Sequence, residues 1–110
     1  MADAYKVLAQ SNPAAATPTD AYTVPALTST TVSSLVVCNR SPSATPTFRI
    51  SIAIAGAGAD VKQYLYYDLA LLPNDTFIAT VGITLAATDV IRVYASTTDL
   101  SFSFFGVEVT

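Results

Sequence analysis

From Phe77 to Val109 the chain is written almost entirely in the period of a half-buried strand, apolar and polar residues alternating. Residues 77–85 form one such unit, and Ala86-Ala87-Thr88-Asp89 is a tight connection to a second at 90–96. After the polar break Thr97-Thr98-Asp99, a third unit runs from Leu100 to Val109. A chain of 110 residues built from such units has room for a real core without metals or disulfides. Its options narrow to a small β-sandwich or barrel.

Upstream the same reading gives strands at 4–9, 21–24, 31–39, 48–55 and 64–72, eight in all. Pro13 and Pro18 make the intervening 10–20 stretch a loop, because proline cannot donate to a ladder. Arg40 to Pro46 is a second turn-rich connection, too short to separate domains. The cleanest alternation sets Phe48, Ile50, Ile52 and Ile54 on one face and Arg49, Ser51, Ala53 and Ala55 on the other. Leu35 to Cys38 is continuously apolar, as a doubly covered central strand would be. The 64–72 segment also tolerates helical spacing, but its tyrosines favour a strand, bulged near Tyr66-Tyr67. The expected architecture is all-β: an antiparallel, jelly-roll-like sandwich of about eight strands, residues 1–110 forming one domain.

Composition limits the function. Charged residues make up 12% of the chain, against roughly 25% in an average soluble protein, while apolar residues reach 52%. Low charge with abundant apolar surface points to a face covered by another subunit. The net charge is −3 and the cations Lys6, Arg40, Arg49, Lys62 and Arg92 are scattered singly, so no basic stripe exists to neutralise nucleic-acid phosphates. No apolar run approaches the ~20 residues that span a bilayer. Met1-Ala2-Asp3-Ala4 lacks the pattern of a secretory signal. The lone Cys38 reads as a small buried hydrophobe, with no disulfide partner and no cysteine metal site.

Catalytic chemistry finds little purchase. The chain has no histidine, which removes the commonest general base and transition-metal ligand. Asp68, Asp75, Asp89 and Asp99 sit at or near turns, where carboxylates cap backbone amides. Gly56-Ala57-Gly58 lacks the third glycine and following helix of a phosphate loop. No enzymatic activity, cofactor or metal is expected. Tyr64, Tyr66, Tyr67 and Tyr94 suit sugars or protein partners, and alternation puts Tyr66 and Tyr67 on opposite faces, one near the surface.

Two resemblances add to this. Residues 85–93 with Phe102-Ser103-Phe104-Phe105-Gly106-Val107 resemble the end of a tumour-necrosis-factor/complement-type jelly roll, with Thr88 where that family carries glycine before Asp89. The resemblance implies a homotrimer with aromatic final strands near the threefold axis. Over nearly the whole chain, Tyr5 to Pro13, Tyr22 to Ala26, Val32 to Arg40, Asn74-Asp75-Thr76 and Asp89 to Ala95 are similar to small virion proteins of tailed bacteriophages. That resemblance implies a non-enzymatic structural role, best met by a trimeric capsid cement (decoration) protein bound to the major capsid protein on the capsid surface and made in the host cytoplasm. A tail, baseplate or fibre-head component binding a host-surface glycan or another virion protein is the alternative.

In the closing strand Leu100, Phe102 and Phe104 form one face and Phe105, Val107 and Val109 the other, both apolar. One face should therefore meet another subunit; Phe102, Phe105 and Val107 are the expected oligomer contacts, and a bulge near Gly106 could exchange Phe104 with Phe105. The proline-stiffened loops supply the expected partner contacts Asn12, Pro13, Pro18, Pro42 and Pro46, joined by Tyr66 and Tyr67.

Overall fold

The structure, a computed structural model, describes residues 2–110; Met1, where the stretch read for a secretory signal begins, lies outside them. It has eight strands: β1 (Asp3–Ser11), β2 (Thr19–Thr23), β3 (Ser29–Asn39), β4 (Thr47–Ala53), β5 (Tyr64–Ala70), β6 (Thr76–Leu85), β7 (Val90–Ala95) and β8 (Leu100–Val109). They form two four-stranded antiparallel sheets, ordered β1-β8-β3-β6 (sheet 1) and β2-β7-β4-β5 (sheet 2). The chain changes sheet at every connection except β4–β5, the interleaving of a jelly roll. The eight-strand, all-β expectation therefore holds.

The core lies between the sheets. Phe48 on β4 is its centre, with ring centroids 5.5 Å from Phe77, 6.0 Å from Phe102 and 6.3 Å from Tyr66. Leu35 and Val37 from β3, Ile50 from β4, Ile91 and Val93 from β7, and Leu100 and Phe104 from β8 complete it, all essentially inaccessible. Each such side chain contributes roughly 1.5–3 kcal/mol on burial.

Several expectations are corrected. The β4 alternation stops at Ala53: Ala55 and Gly56 take φ of 53° and 72°, a 3-10 turn replaces the strand, and Ile54 is exposed rather than buried. β3 is central but covered on one side only; Leu35 and Val37 face the core, while Val36 and Cys38 face outward and are half-buried. Cys38 is thus not a core residue. β5 is a strand with two irregularities: Leu65 is extra opposite Ile50-Ser51, and Tyr67-Asp68 together oppose Arg49. The second bulge falls one residue beyond the expected place, and Asp68 there has φ of 52°.

Gly106 shapes β8. A Cβ at this position would overlap the Thr31 carbonyl of β3, so only glycine allows the two backbones this approach. Ser33 bulges out of β3 beside it and donates its hydroxyl to the Phe105 carbonyl at 3.1 Å. This arrangement sends Phe104 into the core and Phe105 outward.

Candidate functional site

The four connections at one end of the sandwich are tied into one unit. Asn39 is buried at the inward-facing end of β3; its Nδ2 donates to the carbonyls of Ala44, Leu71 and Leu72 at 2.9–3.1 Å, and its Oδ1 accepts from Ser41 N–H at 2.9 Å. Asn12 Nδ2 donates to the Thr98 and Leu100 carbonyls, both at 2.9 Å. Arg40 also donates to the Thr98 carbonyl, through its guanidinium, and its backbone N–H bonds Asp99. A buried amide satisfied wholly by backbone is costly to disturb, so these loops are preorganised. Pro18 and Pro42 are exposed there, but Pro13 and Pro46 are buried. The expectation that all four prolines contact a partner fails for those two, because they pack inward to anchor their loops. Asn12 is exposed, yet its amide is committed to the β7–β8 loop.

The outer face of sheet 1 is the apolar surface. Tyr5 pairs with Val107 and Val7 with Phe105, and Val36 pairs with Ile78 on the far side. Tyr5 is 82% exposed, Ile78 67% and Val7 50%. Phe105 and Val107 sit half-buried among them. Phe102 does not belong here: at 1% exposure, edge-on to Phe48, it has no surface to give another subunit. The closing strand faces alternate as the sequence indicates, and that alternation itself sends Phe102 inward with Leu100 and Phe104.

The outer face of sheet 2 is aromatic and charged. The Arg49 guanidinium lies between two rings, 4.2 Å from the Tyr67 centroid and 4.3 Å from that of Tyr94. Asp68 holds it from the bulge, with Nε–Oδ1 at 2.6 Å and Nη2–Oδ2 at 3.3 Å. Arg92 bonds Asp20 at 2.9 Å and the carbonyls of Ala57 and Gly56. The cations that look scattered in sequence thus include two that share a face, each neutralised by a carboxylate. Tyr64 meets Tyr67 edge-on at 4.8 Å, and with Ala59, Asp60 and Val61 they line an open groove of about 450 Å³. Tyr66 points the other way, packing on Phe48 and on Phe77 at 5.2 Å; it is partly buried against the core rather than on the outer face, where a partner contact was expected of it.

At the opposite end of the sandwich from Asn39, Glu108 of β8 faces inward and is buried. Lys6 Nζ lies 2.6 Å from its Oε1, and the Tyr22 hydroxyl donates to its Oε2 while also bonding Thr30 Oγ1 at 2.8 Å. The Lys6 and Tyr22 hydrogen bonds hold the Glu108 carboxyl below its ordinary range. Burial, with the neighbouring carboxylate, pushes the Tyr22 hydroxyl up to about 12.

The carboxylates singled out in the sequence are all engaged. Asp68 pairs with Arg49, Asp75 Oδ1 accepts from Thr76 N–H, and Asp99 bonds the Thr97 hydroxyl. Asp89 accepts from the amides of Ala55 and Ala86 at 3.0 and 2.9 Å. Among the described residues no three His, Cys, Asp or Glu side chains gather as metal ligands would. Sequence reasoning missed Asn39 and the Lys6–Glu108–Tyr22 chain. The signal for Asn39 was present, a polar residue at the next inward position after Leu35 and Val37.

No family model matches the chain, and no curated protein matches it. Among solved structures it is similar to a pentameric capsid protein isolated from metagenomic phage sequences, at 13% identity and a TM-score of 0.41, over 96% of this chain and 63% of that one. The chain thus spans less than two thirds of that protein's length. A likeness at this level transfers neither function nor stoichiometry.

Proposed function

We propose that this protein is a non-enzymatic structural component of a tailed-phage virion: a trimeric capsid cement protein that binds the major capsid protein on the head surface. The observation that carries the reading is the uncovered apolar face of sheet 1 at β1 and β8, where Tyr5 and Val7 stand exposed beside Phe105 and Val107. Monomeric proteins rarely leave such a face to water, and a closed threefold ring is an economical way to cover it. The jelly-roll strand order and the virion-protein resemblance of the sequence support the same reading. The tied loops carrying Pro18 and Pro42 are the contact to the capsid shell, because loops already ordered lose little entropy on docking.

Light scattering in dilute solution tests the trimer. The protein should have the mass of three copies, and Phe105→Asp the mass of one with its far-UV spectrum unchanged. A monomeric wild type contradicts the reading.

A second reading, a tail, baseplate or fibre-head part that binds a host-surface glycan, is favoured by one observation: the open groove at Tyr64 and Tyr67. Tyr67→Ala would then abolish adsorption to host cells without altering assembly.

A further inference from the structure

The four edge strands of the sandwich are unequally guarded. β1 carries Asp3 and Lys6; β2 has five residues, includes Asp20 and lies between Pro18 and Pro25; β5 carries Asp68 and two bulges. β6 has ten residues with neither a charge nor a proline. Edges are ordinarily blunted by such devices, because a row of unpaired N–H and C=O groups recruits another strand. The one interruption in β6 is the bulge at Val81-Gly82 opposite Ser33, which leaves Thr76 to Thr80 regular. Asp75 accepts from Thr76 N–H at 2.8 Å; among the described residues no other side chain bonds the β6 backbone. Midway along the regular half, Ile78 projects outward with two thirds of its surface in solvent, between the exposed Thr76 and Thr80.

We propose that this half-strand is a homotypic pairing site: it takes β6 of a second copy, antiparallel, about a twofold axis at Ile78. Sheet 1 of the two subunits then runs on as one eight-stranded sheet. In that register Ile78 faces Ile78 of the partner subunit and Thr76 faces Thr80 of the partner subunit. The occupant is a second copy because the edge complements itself. Like aliphatic and Thr–Thr cross-strand pairs are favourable, no like charges oppose each other, and an isologous contact closes without growing into a fibre. Pairing with β1 instead would bring Asp3 and Lys6 to the join. The site is distinct from the Phe105 face, so in the virion it would link neighbouring trimers, and it stands whether or not the trimer forms.

Cross-linking tests it. In a Cys38→Ser background, Ile78→Cys places two thiols opposite each other across the axis, with Cα atoms at the ~4.5–5.5 Å of directly paired residues and within disulfide reach. On mild oxidation it should form covalent dimers at least about tenfold faster than Thr84→Cys, which lies beyond the bulge. The difference should persist when Phe105→Asp is added, which separates this contact from the trimer. Added to Phe105→Asp, Ile78→Lys should abolish the remaining rise of mass with concentration while leaving the melting temperature unchanged. Equal cross-linking rates at the two positions, or a concentration-dependent mass of Phe105→Asp that survives Ile78→Lys, would overturn the proposal.

Discussion

Tyr22 donates its hydroxyl to the buried carboxylate of Glu108, joining β2 of one sheet to β8 of the other across the end of the core. Both groups titrate abnormally, in opposite ranges: burial first, and then the Glu108 hydrogen bond, raises Tyr22, while the Lys6 hydrogen bond first, and then that of Tyr22, lowers Glu108. Glu108 has a folded value below its unfolded one, so its contribution is present above about pH 4.5 and is lost as pH falls through the folded value. Tyr22 has a folded value raised to about 12, so its contribution is present below about pH 10 and is lost as pH rises through 12. Denaturation midpoints across pH should fall on both sides. Glu108→Gln should flatten the acid limb and Tyr22→Phe the alkaline one.

Gly106 has a second expected outcome. Gly106→Ala must push the Thr31 carbonyl aside, in a ladder that cannot move without disturbing the Ser33 bulge. The loss should be about 3 kcal/mol, at the upper end of overpacking costs. Urea unfolding should show a lower midpoint with an unchanged m-value.

Thr88 is strained where Gly106 is relaxed. It is a β-branched residue at φ 71° in the β6–β7 turn, exposed and with no packing role. Thr88→Gly should raise stability by about 0.5–1 kcal/mol, the relief of a left-handed conformation less the entropy glycine adds to the unfolded chain. Calorimetry should show a higher melting temperature, with Asp89 still capping the turn.

Asn39 anchors the loop end. Asn39→Ala strands the carbonyls of Ala44, Leu71 and Leu72 together with Ser41 N–H, at a cost of about 3 kcal/mol. Asn39→Asp keeps the shape but turns an acceptor-only carboxylate toward three carbonyls. It should be worse at neutral pH than at pH 4, where protonation restores a donor. Thermal melts at the two pH values separate shape from charge.

The eight strands were legible because inward residues repeat at the sheet period, Ile91, Val93 and Ala95 in β7 and Leu100, Phe102 and Phe104 in β8. The opposite facing of Tyr66 and Tyr67, and the capping role of Asp89, followed from the same local rules. What escaped were relationships between distant segments. Lys6, Tyr22 and Glu108 are brought together only by the sheet register: the alternation of β8 puts Glu108 on the inward face with Phe104, but nothing local names the partners a carboxylate would find there. Ile54 misled because the periodicity of β4 continues past the point where Ala55 turns left-handed. Phe102 misled as a contact because an aromatic on an apolar strand has two faces to choose between, and Phe48 settles which one is dry.

The central claim, a capsid cement role, is tested most directly by the copy number of this protein in purified virions, set against the major capsid protein in the same particles. The account predicts a fixed proportion to the capsid subunits, in multiples of three per binding position. A count of only a few copies or tens per particle, the supply of a tail or baseplate part, or complete absence from the virion, would contradict it.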